Sequence, residues 1–150
     1  MSEKNISRAF YKEIMQMANY GLIKQPFHLL HIPNEQRPAD TPSTRMKVAI
    51  WMNHIKSLGF IPGVADYLLL YKGGWAAIEL KADEKSLKAH IAKSLKLQDS
   101  TARDQKMFAD KTNEMQMPYL ITYNVAVAVN FVLDLLGESP KGNGDTKSKQ

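Results

Sequence analysis

Two short apolar runs meet at Gly73-Gly74, and that meeting constrains the fold of this chain more than any other feature. Gly63-Val64-Ala65-Asp66 and Tyr67-Leu68-Leu69-Leu70-Tyr71 lie on one side, and Trp75-Ala76-Ala77-Ile78-Glu79-Leu80-Lys81 on the other. Apolar and aromatic runs joined by Gly-Gly predict a β-hairpin. Centring the turn on the two glycines faces Lys72 with Trp75, Leu68 with Glu79 and Asp66 with Lys81. Side chains alternate along a strand and cross-strand partners share a face, so Asp66, Glu79 and Lys81 fall together. Asp66 and Glu79 become diagonal neighbours, with Cα atoms roughly 7–8 Å apart. Burying such charges is costly unless a partner or a metal compensates them. Two carboxylates at that spacing suit one hard cation with oxygen ligands. At this level a surface ion pair between Asp66 and Lys81 is the competing reading.

The rest of the composition narrows the classes. The 150 residues predict one domain, and the 44% apolar content is ordinary for a globular chain. There is no cysteine, which excludes disulfides, thiolate metal sites and a cysteine nucleophile. Met1-Ser2-Glu3-Lys4-Asn5 lacks the apolar core of a signal peptide, and Asn130 and Asp134 interrupt the longest apolar stretch. A soluble, cytoplasmic protein that is not secreted and has no membrane partner is expected. The net charge is +5, of which the segment 138–150 carries +1, leaving a mild preference for polyanions.

Periodicity predicts the element order α-β-α-β-β-α-α-β-α. Ile6, Phe10, Ile14, Met17 and Gly21 follow helical spacing over 6–20. A short strand follows at Phe27–Ile32, then a proline-rich loop from Pro33 to Pro42. Val48, Trp51, Met52, Ile55 and Leu58 form the stripe of a second helix, with Trp51 expected in the core. After the hairpin, polar helices are expected over 83–98 and 100–117. A strand at 119–123 and a helix through Val125, Val129, Val132, Leu133 and Leu136 complete the domain. This is an α/β chain with a mixed sheet flanked by helices. Residues 1–137 form the domain, and 138–150 a polar tail expected to be disordered.

These pieces, in this order, resemble a known family. Asp66, a hairpin, then Glu79-x-Lys81 resembles the core of the PD-(D/E)xK nucleases. More narrowly, the chain is similar to a VRR-NUC domain, the virus-type replication-repair nuclease module. His31-Ile32-Pro33-Asn34 with Arg37 matches that family's early loop, and Gly59 with Gly63 to Asp66 the approach to its metal-binding strand. Ile78-Glu79-Leu80-Lys81 matches the catalytic strand, and Ser100 with Gln105 its Ser-x-x-Gln helix. There are two departures. Ala65 stands where the family has proline, and the stretch from Lys81 to Gln105 is longer than the family's.

The resemblance implies a restriction-endonuclease-like fold and a metal-dependent DNA endonuclease. Such an enzyme would be selective for branched DNA such as Holliday junctions and homodimeric. Asp66, Glu79 and the Leu80 carbonyl would hold Mg²⁺ or Mn²⁺, with Glu13 of the first helix as a further ligand. Lys81 would act on the attacking water and Gln105 would support it. Glu13 borders an apolar stripe, so a solvated flank glutamate is the competing reading; Glu3 precedes the predicted helix. Asn34, Arg37, Arg45, Lys85 and Lys88 have the chemistry of phosphate contacts, though Lys85 and Lys88 equally suit a solvated helix face. His28 and His31 are three apart on a strand and face opposite sides, which excludes a shared zinc. The alternative function is a non-catalytic DNA-binding or adaptor domain of the same fold.

Overall fold

A computed structural model of the chain describes residues 1–32, 42–59, 63–96 and 100–138, with the backbone only for 42–45, 48, 52, 55, 94 and 100–102. Its elements are α1 (Glu3–Asn19), β1 (Phe27–His31), α2 (Pro42–Ser57), β2 (Tyr67–Tyr71), β3 (Gly74–Leu80), α3 (Glu84–Lys96), α4 (Ser100–Glu114), β4 (Tyr119–Thr122) and α5 (Val125–Leu135). That is the order read from periodicity. The strands form one sheet, β1-β2-β3-β4. β1/β2 and β2/β3 are antiparallel, and β3/β4 is parallel. A parallel neighbour needs a crossover, and α3 with α4 supplies it.

One face of the sheet is the core. Ile6, Phe10 and Ile14 recur every fourth residue of α1, and Ala128, Val129, Val132 and Leu133 line α5. Both stripes close on Tyr67, Leu69, Ala76, Ile78 and Leu80. Side-chain caps start both helices. Ser2 accepts the Asn5 amide, and Asn124 accepts the Val127 amide. Because Ser2 is the cap, α1 begins at Glu3 rather than at Ile6.

The hairpin register differs from the count made on the glycines. Tyr71 pairs with Gly74, Leu69 with Ala76 and Tyr67 with Ile78. The turn is therefore Lys72-Gly73, and Gly74 belongs to β3. Gly73 has φ +115°, whereas Lys72 is not among the positive-φ residues. That sign pattern is a type II turn, which requires glycine at its second central position. The shift is two residues, an even number, so every side chain keeps its face. Continuing the ladder one step sets Asp66 level with Glu79, closer than the diagonal relation expected.

Two further expectations are corrected. Trp51 is 48% exposed and Leu58 73% exposed, so the α2 stripe is not buried at these positions. Its periodicity is real, but amphipathicity alone does not supply a packing partner. Glu138 does not belong to a free tail. Its amide donates to the Leu133 carbonyl (2.8 Å), and its carboxylate accepts the Lys24 amide (3.1 Å). Residues 139–150 lie outside the described residues. No described helix is long and apolar enough to cross a membrane.

Candidate active site

Strand alternation creates the site. Ala76, Ile78 and Leu80 point to the core, so Ala77, Glu79 and Lys81 point to the other face. Glu79 is nonetheless only 3% exposed. Its Oε1 accepts from Lys81 Nζ at 3.2 Å, and from Gln105 Nε2 at 3.5 Å, the outer limit of a hydrogen bond. Its Oε2 is buried with no hydrogen-bond partner. Asp66 lies at the start of β2, where its carbonyl accepts the Ile32 amide (2.8 Å). Its Oδ2 accepts the Leu80 amide at 2.8 Å. In a strand the amide and carbonyl of one residue point to the same edge, so the Leu80 carbonyl lies on the Asp66 side.

Gly63 brings α4 to this face. It has φ +79°, and a Cβ there would lie 2.2 Å from the Asp104 carbonyl carbon and 2.5 Å from the Gln105 nitrogen. Only glycine allows the two backbones to touch. That contact sets Gln105 above Glu79. From the sequence, Gly63 reads as part of a strand motif. Its role as the seat of α4 is a finding of the structure.

The electrostatics are those of a site short of positive charge. Burial pushes the Glu79 carboxyl up to about 7, the Asp66 charge adds to the rise, and Lys81 opposes both. Asp66 is also raised, chiefly by burial, against the Leu80 amide, Lys81 and His31. Burial together with the charges of Glu79 and Asp66 pushes the Tyr119 hydroxyl above its usual range. Two carboxyls that share a buried face and both resist ionisation require more cation than one lysine supplies.

Glu3, rather than Glu13, is the α1 carboxylate that joins them. Its charge is among those raising both Asp66 and Glu79. Ser7, one turn further on, contacts the Tyr67 hydroxyl at 2.7 Å, which fixes this end of α1 beside Asp66. Glu13 is exposed. It lies about 15 Å further along the helix axis than Glu3, at about 1.5 Å per residue, so the helix carries it away from the site. The overlooked signal was the Ser2 cap, which draws Glu3 into the first turn. Tyr119 was missed because nothing in a lone strand residue shows which carboxylates it will meet.

The remaining candidates are dispersed. His31 is exposed and lies 5.0 Å from the Tyr67 ring, at the rim of the site. Lys85 is exposed on α3, and Lys88 pairs with Glu84 at 3.0 Å on the same helix. Asn34 and Arg37 lie outside the described residues, as do the side chains of Arg45 and Ser100.

Among the described residues, no three His, Asp or Glu side chains converge closely enough to enclose a metal. The donors present are two carboxylates and one backbone carbonyl. Magnesium-type ions fit such a sparse set, because they keep several waters and take only one or two protein carboxylates. The unpartnered Glu79 Oε2 is the observation that favours the fit. Compared with known proteins, the chain matches no family model, no curated sequence and no solved structure.

Proposed function

We propose that this protein is a divalent-metal-dependent endodeoxyribonuclease that hydrolyses phosphodiester bonds in branched DNA. The observation that carries the reading is the buried, unpartnered Glu79 Oε2 level with Asp66, with Lys81 held on the neighbouring oxygen. Asp66, Glu79 and the Leu80 carbonyl would hold Mg²⁺ or Mn²⁺. When bound, the ion supplies Lewis-acid polarisation of the phosphate and a lowered pKa for water.

The chain's own residues do the rest. Lys81 stands at the mouth of the pair, 12% exposed, where its ammonium can reach both Glu79 and an incoming phosphate oxygen. It orients the attacking water and offsets charge as the transition state forms. Lysine suits the task because its charge is compact and its stem flexible. Gln105 restrains Glu79 from the α4 side. Leu80 holds Asp66 through its amide, so the carboxylate is aimed before any ion arrives. The net charge of +5 favours a polyanionic substrate. Preference for junctions and a cytoplasmic setting follow from the resemblance stated above.

The test incubates wild-type protein and Asp66→Ala with four-way junctions, flaps and plain duplexes in Mg²⁺, Mn²⁺ or EDTA. Expected is metal-dependent cleavage by the wild type, reduced about 10²- to 10⁴-fold in the variant, the scale of a principal catalytic group. Equal cleavage by the variant, or cleavage that survives EDTA, sinks the assignment. Binding to all branched substrates without cleavage in either metal would instead favour the adaptor reading.

A further inference from the structure

The outer edge of β1 has an uncommon property: it is complementary to itself. β1 ends the sheet, and its sequence Phe27-His28-Leu29-Leu30-His31 contains no proline, lysine or bulge to guard it. The Ile32 amide bonds the Asp66 carbonyl, which fixes the phase of the β1/β2 ladder. Hydrogen-bonded pairs alternate in an antiparallel ladder, so His28 and Leu30 turn their backbone groups inward. Phe27, Leu29 and His31 turn theirs to the open edge.

A two-fold axis through Leu29 then matches every outward group. Leu29 faces its own copy, and Phe27 faces His31 in both directions. The result is a ladder of about six backbone hydrogen bonds with no register conflict. Flanking surfaces agree. An open groove of about 420 Å³ runs beside β1, lined by Tyr11, Met15, Ile23, Phe27 and Leu29. On the other face Leu30 and Leu70 are 41% and 38% exposed. The axis would set Leu30 against His28 of the second copy and bring the groove edges together.

We infer that β1 is the interface of a symmetric homodimer, in which two sheets join edge to edge into one of eight strands. An unrelated peptide strand would have no reason to match both the phase and the side-chain pattern of this edge. The dimer does not depend on the proposed activity. One consequence does. Asp66 lies on the second strand, level with Ile32, three residues from the axis. Three strand spacings across and six residues along put the two Asp66 positions about 25 Å apart before twist. On the nuclease reading, that separation suits two cuts on one branched substrate.

The test measures mass by sedimentation velocity for the full chain. Wild type should sediment as two 17.0 kDa chains, and its Leu29 amide should gain exchange protection as concentration rises. The variant His28→Lys/Leu30→Lys sets like charges opposite each other only in the dimer, at positions exposed in the single chain. It should fold, by circular dichroism, and sediment as one chain. The same holds for His28→Glu/Leu30→Glu. Mixing the two variants should restore the two-chain mass, because opposite charges then meet across the axis. A wild type that stays single at every concentration overturns the inference. So does a lysine variant that remains two-chain alone, or a Leu29 amide whose exchange ignores concentration. Neither result bears on cleavage, so failure here is separable from failure of the nuclease reading.

Discussion

The two faces of the β2–β3 hairpin are built by the same strands and follow opposite rules. On one face Tyr67, Leu69, Ala76, Ile78 and Leu80 lie against α1 and α5, all of them buried. On the other, one residue away along each strand, stand Asp66, Glu79 and Lys81, with a carboxylate oxygen that has no partner. The first face stabilises the fold. The second lowers its stability, because both carboxyls are desolvated and repel each other. A chain selected only for stability would place apolar residues at 79 and 81, so the charged face marks where function resides.

The largest expected stability effect belongs to the apolar face. Ile78 is fully buried among α1, α5 and the neighbouring strands. Ile78→Ala should cost about 2–5 kcal/mol, the range for truncating a buried isoleucine. Urea unfolding measures it, and a loss below about 1 kcal/mol would show that this face is not the core.

The charged face gives the opposite sign and a pH dependence. Glu79 has its carboxyl pushed up to about 7 from an ordinary value of 4.5. The unfolded chain therefore ionises first. Stability is fully present below about pH 4.5 and falls as pH rises through about 7. The loss is on the order of 3 kcal/mol, at about 1.4 kcal/mol per pH unit. Without metal, the melting temperature should be higher at pH 5 than at pH 8. Glu79→Gln should remove most of that slope while abolishing cleavage. Mg²⁺ or Mn²⁺ should stabilise the wild type more at pH 8 than at pH 5. A slope unchanged in Glu79→Gln would assign the pH dependence to another group.

Much of this was legible before any coordinates, for identifiable reasons. Faces survive a register error of two, so Asp66, Glu79 and Lys81 were grouped correctly even though the turn was placed one residue late. Helical stripes located α1 and α5, where a partner surface exists. The same logic overreached at α2, where Trp51 and Leu58 are exposed. What stayed illegible was anything set by how elements approach one another. The seat of α4 on Gly63 and the meeting of Tyr119 with two carboxylates are of that kind. No residue spacing records a backbone-to-backbone contact between segments 41 residues apart in sequence.

That contact is testable. Gly63→Ala must hold a left-handed backbone and admit a Cβ against Asp104. It should cost about 1–3 kcal/mol from the backbone alone. If α4 moves away rather than the fold unravelling, Gln105 leaves Glu79. Cleavage should then fall while near-native stability is retained by circular dichroism. An alanine variant with wild-type stability and cleavage would show that α4 is not seated through Gly63.

The smallest effect distinguishes the two α1 glutamates. Glu3 is exposed, so its charge acts through solvent, yet it reaches both carboxyls of the site. Glu13 is equally exposed but lies about three turns further along the helix. Both are helix-borne acids of the same chemistry, so position alone separates them. Glu3→Gln should weaken Mn²⁺ binding about two- to five-fold, the scale of an exposed charge interaction. Titration calorimetry at low salt reads this most clearly, because screening erodes it as ionic strength rises. Glu13→Gln should leave the affinity unchanged. Equal weakening by both variants would mean that the effect is one of net charge. A loss from Glu13→Gln alone would mean that the helix presents its other end to the metal.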